Sequence, residues 1–194
     1  MLNKWRNKMT EKEKMLAGLL YDPCINLLAK ERLYAQDICF QLNQLSPLAE
    51  NQRQRLFEKL LGKTGQQFTI MPGFQCDYGY NIEIGENFFA NFNCIMLDAA
   101  KISFGDNVLV APNCGFYTSG HPIDSQTRNS GLEFAKPITI GNNVWIGGNV
   151  IVLPNVTIGD NSVIAAGSIV DRDIPSNAVA MGSPCRIHKT LKEY

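Results

Sequence analysis

Only two of the 194 residues are histidines. One of them, His121, stands in the polar stretch TSGHPIDSQ, residues 118–126. An imidazole ordinarily titrates near about 6.5, so it suits removal of a proton from a weakly acidic hydroxyl at neutral pH. Glu133, further along the same polar segment, can orient that imidazole or bind the molecule it acts on. The competing reading of His121 is a residue that caps a loop. His188, in CRIHKTLK, lies among basic residues and reads as a surface histidine. The cysteines at 24, 39, 76, 94, 114 and 185 have no CxxC or CxxH spacing, so they read as reduced thiols. Cys94 and Cys114 fall where a small buried residue is expected, with no histidine near them in sequence, so direct attack is favoured over a cysteine nucleophile.

The elements that must position His121 follow two rhythms. Residues 1–62 carry helical signals. Thr10 with Glu13 forms a capping box ahead of Met15, Leu16, Leu19 and Leu20. Pro23 breaks the pattern, a second helical stretch covers about 26–45, Ser46-Pro47 restarts a third, and Gly62 reads as its C-cap. Beyond about residue 68 the period becomes six. Ile140, Ile146, Val152, Ile158, Ile164 and Val170 recur at that step, each followed four residues on by a small or apolar side chain. Ile84, Ala90, Met96 and Ile102 keep the step earlier, and Phe104, Val110 and Phe116 resume it after a two-residue shift. Neither 3.6 nor 2 fits; this is the hexapeptide signature of a parallel β-helix. Gly and Asn in IGNN, IGEN and IGDN suit tight left-handed corners. The rhythm fails between Phe116 and Ile140, where a polar segment at about 117–137 reads as a loop thrown out of the frame. The division expected is 1–65, a small N-terminal helical region packing on the rest, and 66–194, the β-helix with that excursion and a C-terminal tail.

Composition narrows the function classes. Eighteen basic against eighteen acidic residues argue against a general nucleic-acid binder and a polybasic membrane anchor. The start, MLNKWRNKMTEKEKM, is too charged for a signal peptide core, and no apolar run is long enough to span a bilayer. A cytoplasmic protein is expected.

The stretches CDYGYNIEIGENFFANFNC, GHPID, RNSG, KPITIGNNVWIGGNVIVLPNVTIGD and GSPCRI, with MTEKEKMLAG ahead of them, carry a resemblance. Over about residues 9–190 the chain resembles the maltose and galactoside O-acetyltransferase group of the hexapeptide-repeat acyltransferases, with wording nearer the maltose branch. The resemblance implies a mainly β, left-handed parallel β-helix, against the usual right-handed crossover. It also implies a homotrimer with active sites between subunits, acetyl-CoA as donor, no metal, and a sugar hydroxyl as acceptor.

Site roles follow from the same resemblance. His121 matches the catalytic base, and Asn91 matches the asparagine beside it, suited to bond the acceptor or the oxyanion. Asp77, Asp98, Glu133, Arg32 and Asp22 are the acceptor-side candidates, Asp98 and Asp22 the weaker ones. Gly148 and Ala166 occupy positions whose backbone lines the pantetheine. Arg172, Arg186 and Lys189 match cations near the nucleotide. Trp145 matches a residue near the thioester. Gly148 and Ala99 replace a hydroxyl and an acidic residue found in galactoside-type members, which points away from galactosides.

Rival functions remain on the same frame. A zinc β-helix of the carbonic anhydrase kind needs three histidine ligands, and this chain has two histidines. The short helical region of about 60 residues and the CDYGYNI stretch count against a serine acetyltransferase, whereas an antibiotic acetyltransferase shares the fold and the histidine and is separated only by acceptor assays. A non-catalytic trimeric scaffold needs neither the loop histidine nor the C-terminal cations.

Overall fold

The computed structural model describes residues 9–191. The first eight residues of the charged N-terminus and residues 192–194 of the C-terminal tail lie outside them. Helix α1 (Glu11–Leu16) begins with the expected capping box: the Thr10 hydroxyl accepts from Glu13 N at 3.2 Å and the Glu13 carboxylate accepts from Thr10 N at 2.7 Å. It ends before Leu19 and Leu20, because Gly18 turns left-handed at φ 70°. Helix α2 (Asn26–Gln44) buries Leu28, Ala35, Ile38, Cys39 and Leu42, a single helical stripe.

Helix α3 (Glu50–Leu60) starts later than Ser46-Pro47 suggested. Residues 46–49 close a turn instead, with Ala49 N on Ser46 O at 3.0 Å and Leu48 N on the Ser46 hydroxyl at 3.3 Å. Gly62 is not a left-handed cap either. Its N–H bonds Ile82 O at 3.0 Å, and a Cβ there would strike the Tyr80 carbonyl. The glycine lets the helix exit lie directly on the first coil.

The strands then wind as a left-handed parallel β-helix of triangular section. The first face, seven-stranded, starts at Phe68–Ile70; the second, five-stranded, at Gln75–Cys76; the third, four-stranded, at Ile82–Glu83. Phe68 pairs with Phe88 and Ile82 with Ile102, a coil of 20 residues; Trp145 pairs with Val163 and Ile151 with Ile169, a coil of 18. The two-residue shift seen in the repeat is thus a real widening of the early coils. Inside, Ile140, Ile146, Val152, Ile158, Ile164 and Val170 are all buried, and Phe88, Phe104 and Phe116 stack at 4.9 and 5.0 Å between ring centroids. Ala35, Ile38, Cys39, Leu42 and Phe57 from the helices join this same core.

Corners are made by asparagine more than by glycine. Asn87, Asn107, Asn143, Asn161 and Asn177 have φ between 54° and 59° and pass an amide ladder from coil to coil at 2.9–3.2 Å. Gly85, Gly141 and Gly159, expected to supply left-handed backbone, do not adopt it. They are required because a Cβ at Gly159 would lie 2.4 Å from Ser176 N, and the other two meet the next coil as closely. Asn143→Val is expected to cost about 1–3 kcal/mol and lower the melting temperature by several degrees, while Asn143→Gly loses less. A calorimetric scan showing no difference between wild type and the valine variant would contradict the ladder.

Candidate active site

The three corners carry different chemistry. The second corner, between the second and third faces, holds the two extra residues of each early coil and the excursion. Its frame is Asp98. This carboxylate is wholly buried and accepts backbone N–H groups from Asp77 at 3.1 Å, Tyr78 at 2.8 Å and Asn81 at 3.3 Å. Burial raises it to about 6. Asp98 was a candidate for touching an acceptor; its oxygens are instead spent on holding the corner open, with no surface to offer.

Asp77 projects from that corner with its carboxylate half-buried. Burial raises it to about 6, opposed by the Arg32 guanidinium and helped by Glu133. Arg32 reaches over from α2 and donates to the Tyr78 hydroxyl and the Pro23 carbonyl, both at 2.7 Å. Asp22 caps its own turn, accepting from Cys24 N at 2.8 Å.

The excursion is more ordered than a bare loop. Ser119–Gly120 pairs antiparallel with Phe134–Ala135, and α4 (Ser125–Asn129), capped by Asp124, forms its tip. His121 leaves the end of this hairpin with its side chain 55% exposed, Nε2 lying 3.8 Å from Glu133 Oε1. Tyr21 completes the line and was missed in the sequence. Buried to 1% exposure, it donates its hydroxyl to Glu133 Oε2 at 2.8 Å. Its main chain also exchanges two hydrogen bonds with Glu133, at 3.0 and 3.1 Å. Burial and the Glu133 carboxylate push the phenol far up, so it stays a donor. Its only sequence signal was an aromatic beside the helix-breaking Asp-Pro.

Asn91 lies on the first corner, between the first and second faces, as do Gly148 and Ala166. Its Oδ1 accepts from Phe92 N at 2.8 Å, outside any ladder; Asn93 by contrast turns left-handed at φ 60° and pairs with Asn113. A Cβ at Gly148 would sit 3.4 Å from Pro112 O, an ordinary contact, so Gly148 leaves room rather than avoiding a clash. Trp145, 55% exposed, stands on the first face between Leu109 and Val163. Arg172 and Arg186 share Asp171 at 3.2 and 2.9 Å near the C-terminal end of the second corner, and Lys189 lies exposed on the closing strand opposite Val179. Within one chain, therefore, the structure gathers His121, Glu133, Asp77, Arg32 and Asp22 on one corner and Asn91, Gly148 and Ala166 on another. Cys94 and Cys114 are buried, and burial pushes Cys94 to about 12, which leaves neither a thiolate.

A hexapeptide prism with a histidine-bearing excursion and a carboxylate-lined corner defines a hexapeptide-repeat transferase. The maltose acetyltransferase hexapeptide capping motif matches residues 14–65, and the bacterial transferase hexapeptide repeat matches residues 137–172. A solved maltose O-acetyltransferase of Clostridium difficile is 52% identical, with 95% of this chain and 99% of that one covered and a TM-score of 0.94. A galactoside acetyltransferase in complex with coenzyme A is 42% identical over 95% and 92%, TM-score 0.92. A hexapeptide-repeat acetyltransferase of Vibrio cholerae complexed with acetyl coenzyme A is 40% identical over 95% and 100%, TM-score 0.88. The chain belongs to the maltose and galactoside O-acetyltransferase group of the hexapeptide-repeat acyltransferases.

Asp77 makes the site pH-sensitive. Its folded pKa of about 6 lies above the ordinary carboxylate value of about 3.9. The neutral form is therefore the better fit to the fold: its stabilisation is complete below about pH 4 and is lost as pH rises through about 6. Asp77→Asn removes that loss, so its melting temperature is expected to gain on wild type between pH 4 and 7. A difference that stays constant across this window would refute the assignment.

Proposed function

We propose that the chain is an acetyl-CoA-dependent O-acetyltransferase that acetylates a hydroxyl of a sugar such as maltose or glucose. The observation that carries this reading is the line Tyr21–Glu133–His121 beside Asp77 and Arg32, a base with its carboxylate held next to groups that bond hydroxyls. The complexes of the galactoside and Vibrio relatives with coenzyme A and acetyl coenzyme A support the donor.

The reaction follows from these groups. His121 takes the proton from the acceptor hydroxyl as its oxygen attacks the thioester carbonyl. The Asn91 amide donates to the oxyanion of the tetrahedral intermediate. The carbon–sulfur bond then breaks, and His121 passes the acceptor's proton on to the leaving thiolate. Asp77 accepts from acceptor hydroxyls. The backbone at Gly148 and Ala166 flanks the pantetheine, Trp145 sits beside the thioester, and Arg172, Arg186 and Lys189 meet the phosphates. Asn91 and His121 stand on different corners of one prism, so a site that uses both takes them from two copies, and a homotrimer supplies three such sites. Exposed Leu109 and Trp145 give the first face an apolar surface for that contact. Six free cysteines, Cys39 and Cys76 sharing a thiol hydrogen bond at 3.7 Å and no disulfide, support a cytoplasmic location. No helix among the described residues is long and apolar enough to cross a membrane.

His121→Ala is expected to lower turnover by about 100-fold or more in an assay of thiol release from acetyl-CoA with glucose or maltose, while donor binding persists. An unchanged rate would remove the mechanism. Tyr21→Phe is expected to lower kcat about tenfold, with the acetyl-CoA KM unmoved, and to add nothing in a Glu133→Gln background. Additive losses in that double-mutant cycle would mean Tyr21 does not act through Glu133.

A further inference from the structure

One cavity of about 470 Å³ has no role in the mechanism above. It lies between α3 and the first coil, and its position relative to Asn91 is fixed by backbone hydrogen bonds. Asn93 N bonds Pro72 O, Asn113 N bonds Phe92 O, Asn149 N bonds Pro112 O, and Gly167 N bonds Gly148 O. Pro72, Phe92, Pro112, Gly148 and Ala166 therefore form one column along the first corner. The two lowest members, Pro72 and Phe92, line the cavity. Asn91 is the chain neighbour of Phe92 and holds its N–H. The cavity thus begins beside Asn91 and runs one coil further, about 4.8 Å, away from Gly148 and Ala166.

Its chemistry is two-sided. Phe57, Phe68, Pro72 and Phe92 give rings and an apolar floor, and Phe92 remains 46% exposed at the mouth. Glu50, Arg53 and Gln54, one face of α3, supply carboxylate, guanidinium and amide along the other wall. Aromatic floors take the C–H faces of sugar rings, and planar polar side chains bond their hydroxyls. The volume falls within the range of about 300–1,000 Å³ usual for small-molecule sites.

We infer that this cavity is an acceptor subsite for a second sugar ring, the one remote from the hydroxyl that reacts beside Asn91. The inference rests on the sugar reading above and sharpens it: the preferred acceptor is an oligosaccharide, not a free monosaccharide. A longer acyl chain or a second copy of the chain are the competing occupants.

Thr69 lines the cavity from the exposed side of its strand, so Thr69→Trp fills the space without entering the core. Wild-type kcat/KM is expected to favour maltose over glucose by about tenfold, the worth of one well-made set of contacts. Thr69→Trp should abolish that preference while leaving glucose within about twofold, and Gln54→Ala should reduce it in part. An equal loss for both sugars, or no change in their ratio, overturns the subsite. A change in the butyryl-CoA to acetyl-CoA ratio instead assigns the cavity to the acyl chain. A change in subunit number by light scattering assigns it to a second copy. If neither sugar is acetylated, the sugar reading itself fails. Saturation-transfer NMR with maltose then decides the cavity separately, binding that is indifferent to Thr69→Trp ruling the subsite out.

Discussion

The backbone hydrogen bonds between successive coils are the constraint on which everything else depends. Each coil must present the next with N–H and C=O groups in register, because a buried unpaired backbone group costs about 1–3 kcal/mol. That demand fixes the coil spacing, stacks like residues in columns, and brings corners so close that Gly147 has no room for a Cβ beside Ala166. It also forces the left-handed corner residue, which the Asn87–Asn107–Asn143–Asn161–Asn177 ladder supplies while bonding its neighbours. A side chain placed anywhere on such a frame is held by the whole stack.

Function enters where the frame is relaxed. The early coils are two residues longer at the second corner, and buried Asp98 gathers three backbone N–H groups to hold that extra chain. The widened corner presents Asp77 and lies on the same edge as the excursion with His121. The helical region then finishes the arrangement. Tyr21 clamps Glu133 through its hydroxyl and both main-chain groups, and Arg32 ties α2 to Tyr78. A short N-terminal segment thereby sets the geometry of a loop more than 100 residues away.

Under the mechanism proposed above, the separation of chemistry onto two corners ties activity to assembly. One corner bears the histidine and the carboxylates; the other bears Asn91 and the small residues of the Gly148 column. A rigid prism cannot fold one corner onto another, so the proposed chemistry calls for two copies packed side by side.

By itself the sequence determined the coil period, the prism, the interruption at 117–137 and the histidine it carries. Each of these rests on a local rule: a repeat of six, a small inward residue, a break in rhythm. The capping box at Thr10 and the span of α2 were legible for the same reason. Only the tertiary structure decided that Asp98 is a buried brace, that Ser46-Pro47 makes a turn before α3, and that Gly62 and Gly141 serve close approach rather than handedness. It alone joined Tyr21 to Glu133 and set Asn91 apart from His121. The physical reason is range. Period and capping are written in neighbouring residues, whereas burial, close approach and the meeting of residues 21 and 133 exist only once the coils and helices have packed.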